Sequence, residues 1–172
     1  LTQYIMDNRQ KFKKDLKKGQ EGEYDMAVYL KDKGFDRIHF NNDAKWDLKS
    51  ISPKTGMMTF FEIKTDLLCK DKESDTGNMA IEIRYRGNPS GISSSESDVL
   101  MYYFPYFSEN NVWMIKIKEL KDLIKSEIKN FRVVNGGDDN QSEIILIPRE
   151  KFKKHFYIDT FNVEHHPNKY DY

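Results

Sequence analysis

The order of elements legible in this chain predicts an α/β fold, a mixed central sheet flanked by helices. That order is a helix, three strands, a further strand, a helix and a strand. Three observations predict it. Glu23, Met26, Ala27 and Leu30 recur at helical spacing in a stretch that stops at Gly34, a residue suited to a helix C-terminus. The runs Phe35–Phe40 and Lys45–Ile51 alternate with period two, and the apolar run Met57–Lys64 returns after the tight turn Pro53-Lys54-Thr55-Gly56. No internal repeat and no linker rich in Pro, Gly or Ser divides the 172 residues, so 1–172 is read as a single domain.

Taken in order, residues 3–33 read as helical in two pieces meeting near Gly19-Gln20. The first, Lys11 to Lys18, is a solvated basic face over a stripe of Ile5, Phe12 and Leu16; the second runs from Glu21 to Lys33. Lys45–Ile51 and Met57–Lys64 should form a hairpin. Trp46 and Leu48 share its core-like face, and Lys45, Asp47 and Lys49 share the wet one. Leu68–Asn78 is polar and turn-rich. Met79–Arg86 is the next strand, with Ile81, Ile83 and Tyr85 on one face and Glu82, Arg84 and Arg86 on the other. Beyond the loop Asn88-Pro89-Ser90-Gly91, Ser93 and Glu96 have the form of a capping box, which predicts a helix through Tyr103. Val112–Ile117 reads as a strand and Lys118–Ile128 as a helix. Phe131–Val134 and Glu143–Ile147 are strands about the turn Gly136-Gly137-Asp138-Asp139, and a short helix Arg149–Phe156 precedes a tail rich in Asn, His and Tyr.

Composition excludes several classes. Hydrophobic residues make up 38% and charged residues 33%, a globular rather than a disordered balance. The longest apolar run, Val99–Phe107, is broken by Pro105 and falls well short of the roughly 20 residues of a membrane span. The chain opens on Leu1, which reads as a processed or trimmed terminus, and no secretory signal is evident. One cysteine, Cys69, rules out internal disulfides and fits a reducing compartment, so the expected location is cytoplasmic, the host cytoplasm if the protein is viral. Basic and acidic residues balance at 28 each, so net charge gives no pointer to nucleic acid, and local patches must carry that argument.

The chemistry-bearing residues are out of pattern. Glu62 and Lys64 sit two apart within an apolar strand and therefore point to one face, which is costly unless they have partners or work to do. Asp47 on the preceding strand is brought opposite them by the hairpin. Glu23 lies on the helical stripe that should face the sheet; it is either a site residue or a first-turn carboxylate favoured by the helix dipole. Asp and Glu oxygens suit a hard cation such as Mg²⁺, which acts as a Lewis acid on a phosphodiester, and a lysine stabilises the charge that builds on the phosphorane. Two acids and a lysine are a sufficient set for phosphodiester hydrolysis.

Asp47-x14-Glu62-x-Lys64, with Glu23 in Gly19-Gln20-Glu21-Gly22-Glu23, resembles the motif of the PD-(D/E)XK nuclease superfamily, the restriction-endonuclease-like fold. The family's αβββαβ core is similar to the order read across roughly residues 19–117, with the first helix and the C-terminal elements as additions. The resemblance implies a divalent-metal-dependent DNA endonuclease, Mg²⁺ being the cofactor and Mn²⁺ its substitute. It implies Asp47 and Glu62 as metal ligands with the backbone carbonyl of Ile63, Glu23 as a further ligand or one acting through water, and Lys64 as catalytic lysine. Trp46 stands where the family pattern has proline. A compact nuclease of this kind suits a phage, a mobile element or a bacterium. Its rivals are a structure-specific resolvase of Holliday-junction type, which acts as a homodimer, and a non-catalytic DNA-binding module of the same fold.

Weaker signals remain. Arg84 and Arg86 lead into Ser90 and Ser93 at the expected helix N-terminus, either a phosphate clamp for DNA or surface arginines before a capped helix. Glu82 either extends the acidic cluster or pairs with a lysine. Lys11, Lys13, Lys14, Lys17 and Lys18, and Lys151, Lys153 and Lys154, form basic runs that either follow a DNA backbone or are solvated faces. His155, His165 and His166 make no zinc-binding spacing with Cys69.

Overall fold

A computed structural model describes residues 20–41 and 45–162. Helix α1 (20–32) comes first, and the strands β1 (Asp36–Phe40), β2 (Leu48–Ile51) and β3 (Met58–Thr65) follow it. Then come β4 (Asn78–Tyr85), β5 (Asn88–Pro89), a 3-10 turn Gly91–Ser93, β6 (Val99–Tyr103) and β7 (Val112–Lys116). Helix α2 (Ile117–Glu127), β8 (Arg132–Gly136), β9 (Ser142–Pro148), α3 (Arg149–Phe152) and β10 (Tyr157–Asp159) complete the chain as described.

The fold is mixed α/β. Its larger sheet has the order β1-β2-β3-β6-β7-β10; β1, β2 and β3 form an antiparallel meander, and β6 runs parallel to β3, with Glu62 opposite Leu100. A parallel pair needs a crossover of a dozen residues or more. The expected arrangement puts a helix in that crossover. Instead the chain between β3 and β6 carries β4 and β5, which join β9 and β8 in a second sheet of order β5-β4-β9-β8.

The two faces of the larger sheet are therefore covered differently. Met26, Ala27, Tyr29 and Leu30 of α1 pack with Leu48, Phe61, Met101 and Tyr103 on one face. On the other, Leu100, Tyr102 and Ile115 meet Met79, Ile81, Ile145 and Ile147 of the second sheet and Leu120 and Leu123 of α2. Tyr102 bridges the two sheets, donating to Asp66 Oδ2 at 2.9 Å and accepting from the Ala80 N–H at 3.1 Å. Buried Arg149 closes the far side, 2.6 Å from Asp75 Oδ2 and over the rings of Phe104 and Phe107. Sandwiching between layers explains the difference at β6. The expected helix from Ser93 to Tyr103 is absent, and 99–103 is a strand with four of its five residues buried. A strand covered on both faces is a continuous apolar run without alternation, which periodicity cannot separate from a helix. Ser93 and Glu96 accordingly form no capping box.

Smaller differences have local causes. The final helix is four residues followed by a 3-10 turn, Lys153–His155, and the segment after it, read as tail, pairs with β7 as β10. In β4 an irregularity between Glu82 and Arg84 shifts the alternation, so Met79 and Ile81 are buried while Tyr85 is exposed. Strand β2 begins at Leu48 rather than Lys45. Trp46 does not share the face of Leu48: it packs edge-on against Phe60, at 5.3 Å between ring centroids. The lysine run 11–18, its stripe, and His165-His166 lie outside the described residues.

Candidate active site

Asp47 sits one residue before β2 and grips β3 twice. Its backbone N–H donates to Phe61 O at 2.9 Å, and its Oδ2 accepts the Ile63 N–H at 2.7 Å. The two bonds straddle Glu62. A strand that began earlier would satisfy the Ile63 N–H with a backbone carbonyl; here the side chain does so, which both ends the ladder and fixes the carboxylate beside the Glu62 peptide. The face reading of Asp47 as simply wet is corrected, since the carboxylate is half-buried and hydrogen-bonded.

Glu62 is held from the other side. Its Oε2 accepts from the buried hydroxyl of Ser95 at 2.8 Å, and Ser95 Oγ in turn accepts the Ser97 N–H at 3.2 Å. Burial first, then the Asp47 charge and more weakly that of Glu23, push Glu62 up from 4.5 to about 7, while the Ser95 bond and Lys64 pull it down. Glu23 is likewise raised to about 7, by burial and then by Asp47. Burial also raises Asp47, against the lowering effect of its bond from Ile63. The Asp47 charge raises both glutamates, Glu23 raises Glu62, and the exposed Lys64 lowers it, so the four side chains form one electrostatic cluster. All four residues singled out in the sequence belong to it.

Helix α1 reaches this cluster because Gly22 lets it. A Cβ at Gly22 would collide with the Thr65 side chain at the end of β3, so the helix seats against the strand only with glycine there. Asp25 Oδ2 then accepts from the Tyr103 hydroxyl at 3.0 Å, and the Tyr29 hydroxyl donates to Asp159 at 2.8 Å, fixing the helix on β6 and β10. Met26 and Leu30 are fully buried, and Glu23, one turn earlier on the same stripe, comes within reach of the Asp47 charge.

The arginine and serine set is not part of the cluster. Arg84 pairs with Glu143 at 3.4 Å and Arg86 with Asp139 at 3.3 Å, both on the exposed side of the second sheet. The helix whose N-terminus they were to precede is a three-residue 3-10 turn, which leaves no clamp of free N–H groups. Ser93 is exposed, and Ser90 donates to Glu82 Oε1 at 2.5 Å. Glu82 accepts from Ser142 as well, at 2.7 Å, so it pairs with hydroxyls rather than with a lysine. It nevertheless lines, with Glu62, Lys64, Gly91 and Leu100, a cavity of about 210 Å³ between the two sheets. Ser95 and Gly22 are the residues the sequence reading missed. Ser95 is the third serine of a run of three, and nothing local marks it; the Gly22 next to Glu23 was the better signal.

Among the described residues no three Asp, Glu, His or Cys side chains make a ready metal-binding group. What fits a hard cation is a set of two carboxylates and a backbone oxygen. Burial, which raises both Asp47 and Glu62 by disfavouring their charged forms, also provides the reason a divalent ion would be favourable: it offsets that charge.

No family model matches the sequence, and no curated protein matches it. Among solved structures, a bacterial homing endonuclease, I-Ssp6803I, is similar, with 16% identity over 75% of each chain and a TM-score of 0.44. A likeness so distant carries no argument about this chain.

Proposed function

We propose that this chain is a divalent-metal-dependent deoxyribonuclease that hydrolyses internal phosphodiester bonds. The observation that carries the reading is the double grip of Asp47 on β3, which sets its carboxylate beside Glu62 in a half-buried cluster with Glu23 and Lys64. A structural role alone does not account for three acids gathered in one half-buried cluster, Glu23 and Glu62 raised to about 7, since burying like-charged carboxylates together destabilises a fold. Asp47, Glu62 and the carbonyl of Ile63 are the residues to hold Mg²⁺ or Mn²⁺, with Glu23 binding directly or through water. When bound, the cation supplies charge neutralisation and Lewis-acid activation.

The protein's own groups do the rest. The Ile63 N–H and the Ser95 hydroxyl fix the two carboxylates, so little reorganisation is needed as charge develops. Lys64, on the same strand face as Glu62, donates to the attacking water or to a non-bridging phosphate oxygen and stabilises the phosphorane. The test is cleavage of supercoiled plasmid and of single-stranded circular DNA with Mg²⁺ or Mn²⁺, by the protein and by Asp47→Asn. Cleavage that needs the metal and is lost in the variant supports the reading; equal cleavage by both, or none under any metal, defeats it. Retained DNA binding with no heat on metal titration would leave a binding module.

A further inference from the structure

Ser95 belongs to two places at once. Through its bond to Glu62 it is part of the acidic cluster, and it also lines a groove of about 940 Å³. Apolar lining comes from Met57, Met58, Val99 and Met114, of which Met57 at the hairpin tip is 68% exposed. Helix α2 adds Lys118, Lys121 and Lys125, spaced three and four residues apart and so on one helix face. Among the described residues none of these three lysines is in an ion pair, whereas the other charges along the groove are largely engaged. Lys116 pairs with Glu119, Glu96 with Lys45, and Asp98 accepts the Phe60 N–H; Asp122 is exposed beside Lys121. Ser97, which also lines the groove, has a buried hydroxyl with no hydrogen-bond partner, a group that favours a polar occupant.

We propose that this groove binds a single strand of nucleic acid leading to the scissile phosphate, its backbone along Lys118, Lys121 and Lys125 and its bases against the methionines. The proposal rests on reading the acidic cluster as a phosphodiester site. Unpaired lysines call for an anion, and a largely apolar lining calls for one that exposes apolar faces. A single strand does both, while a duplex hides its bases and offers only phosphates. Methionine, flexible and polarisable, suits a surface that must accept any base. The chain's own first residues carry five lysines between 11 and 18 and so have the wrong sign to fill it.

The test is fluorescence-anisotropy titration of labelled oligothymidylate with the full chain in EDTA, over a series of salt concentrations. The triple variant Lys118→Gln, Lys121→Gln, Lys125→Gln should weaken binding at least about tenfold at low salt. It should also reduce the slope of log affinity against log salt by about 2, from three contacts of ~0.7 each. Because Lys121 is half-buried, the double variant Lys118→Gln, Lys125→Gln provides a second measurement, with a slope reduced by about 1.4. The control triple Lys151→Gln, Lys153→Gln, Lys154→Gln should change neither quantity. An unchanged slope in the α2 variants, an equal loss in the control, equally lysine-dependent binding of blunt duplex, or displacement by polyglutamate as effective as by oligothymidylate would overturn the groove. Metal-dependent plasmid cleavage that survives such a result keeps the nuclease reading. Lysine-dependent strand binding by a protein that cleaves nothing keeps the groove and removes the nuclease.

Discussion

Asp47 does two jobs with one carboxylate, and substitution separates them. Asparagine keeps an oxygen that can accept the Ile63 N–H, so Asp47→Asn should melt at or above the parent's temperature, because a buried like charge has gone, yet lose at least about 100-fold in metal-supported cleavage. Alanine removes the acceptor too. Asp47→Ala should be as inactive and, in addition, about 1–3 kcal/mol less stable by urea unfolding, since a half-buried N–H is left unmet. If both variants unfold alike, the bond to Ile63 is not what holds the residue. Ser95 offers a finer test. Its hydroxyl lowers the Glu62 pKa, so Ser95→Ala should move Glu62 above about 7 and shift the acid limb of the cleavage pH profile toward higher pH. A profile that merely drops without moving would assign Ser95 a packing role.

Gly22 decides how closely α1 approaches the sheet. Gly22→Ala should destabilise by about 1–3 kcal/mol through overpacking on Thr65 and reduce activity by displacing Glu23, with part of the stability restored by Thr65→Ala, measured by urea unfolding. At this scale the sequence was only partly legible, for reasons that differ by element. The hairpin and α1 could be read because each has one buried and one open face, so Leu48, Phe61 and Met26 stand out by period. Glu62 and Lys64 could be read for the converse reason: they interrupt an apolar run. Strand β6 could not, because Leu100, Met101, Tyr102 and Tyr103 are all buried and leave no alternation to detect. The second sheet was beyond reach for a different cause. Met79–Arg86 reads as a strand, but its partner β9 lies more than 50 residues on, and sheet membership is set by tertiary packing rather than by local pattern.

The whole molecule should report its acidic cluster in how stability varies with pH. Glu23 and Glu62 have folded pKa values near 7 against 4.5 for the ordinary carboxyl, so between these values the folded chain binds more protons than the unfolded one. Stability contributed by the two groups is then present in full below about pH 4.5 and is lost as pH rises through about 7. Asp75 acts in the opposite sense. The bond from Arg149 holds its pKa below the usual 3.8, so its contribution is present above that value and lost on further acidification. In EDTA, melting temperature should therefore peak in mildly acidic solution and fall between about pH 5 and about pH 8. Glu62→Gln should flatten that fall, because an amide has no proton to lose. Mg²⁺ or Mn²⁺ should reverse it, since the cation takes the place of the protons. At a free concentration about a hundred times its dissociation constant it adds roughly 2.7 kcal/mol at the high-pH end. At the low-pH end it should add far less, because protons compete for the same oxygens. Differential scanning fluorimetry with and without metal at the two ends of that range checks this without any substrate. A metal effect equal at both, or one that persists in Asp47→Asn, would place the cation somewhere other than between Asp47 and Glu62.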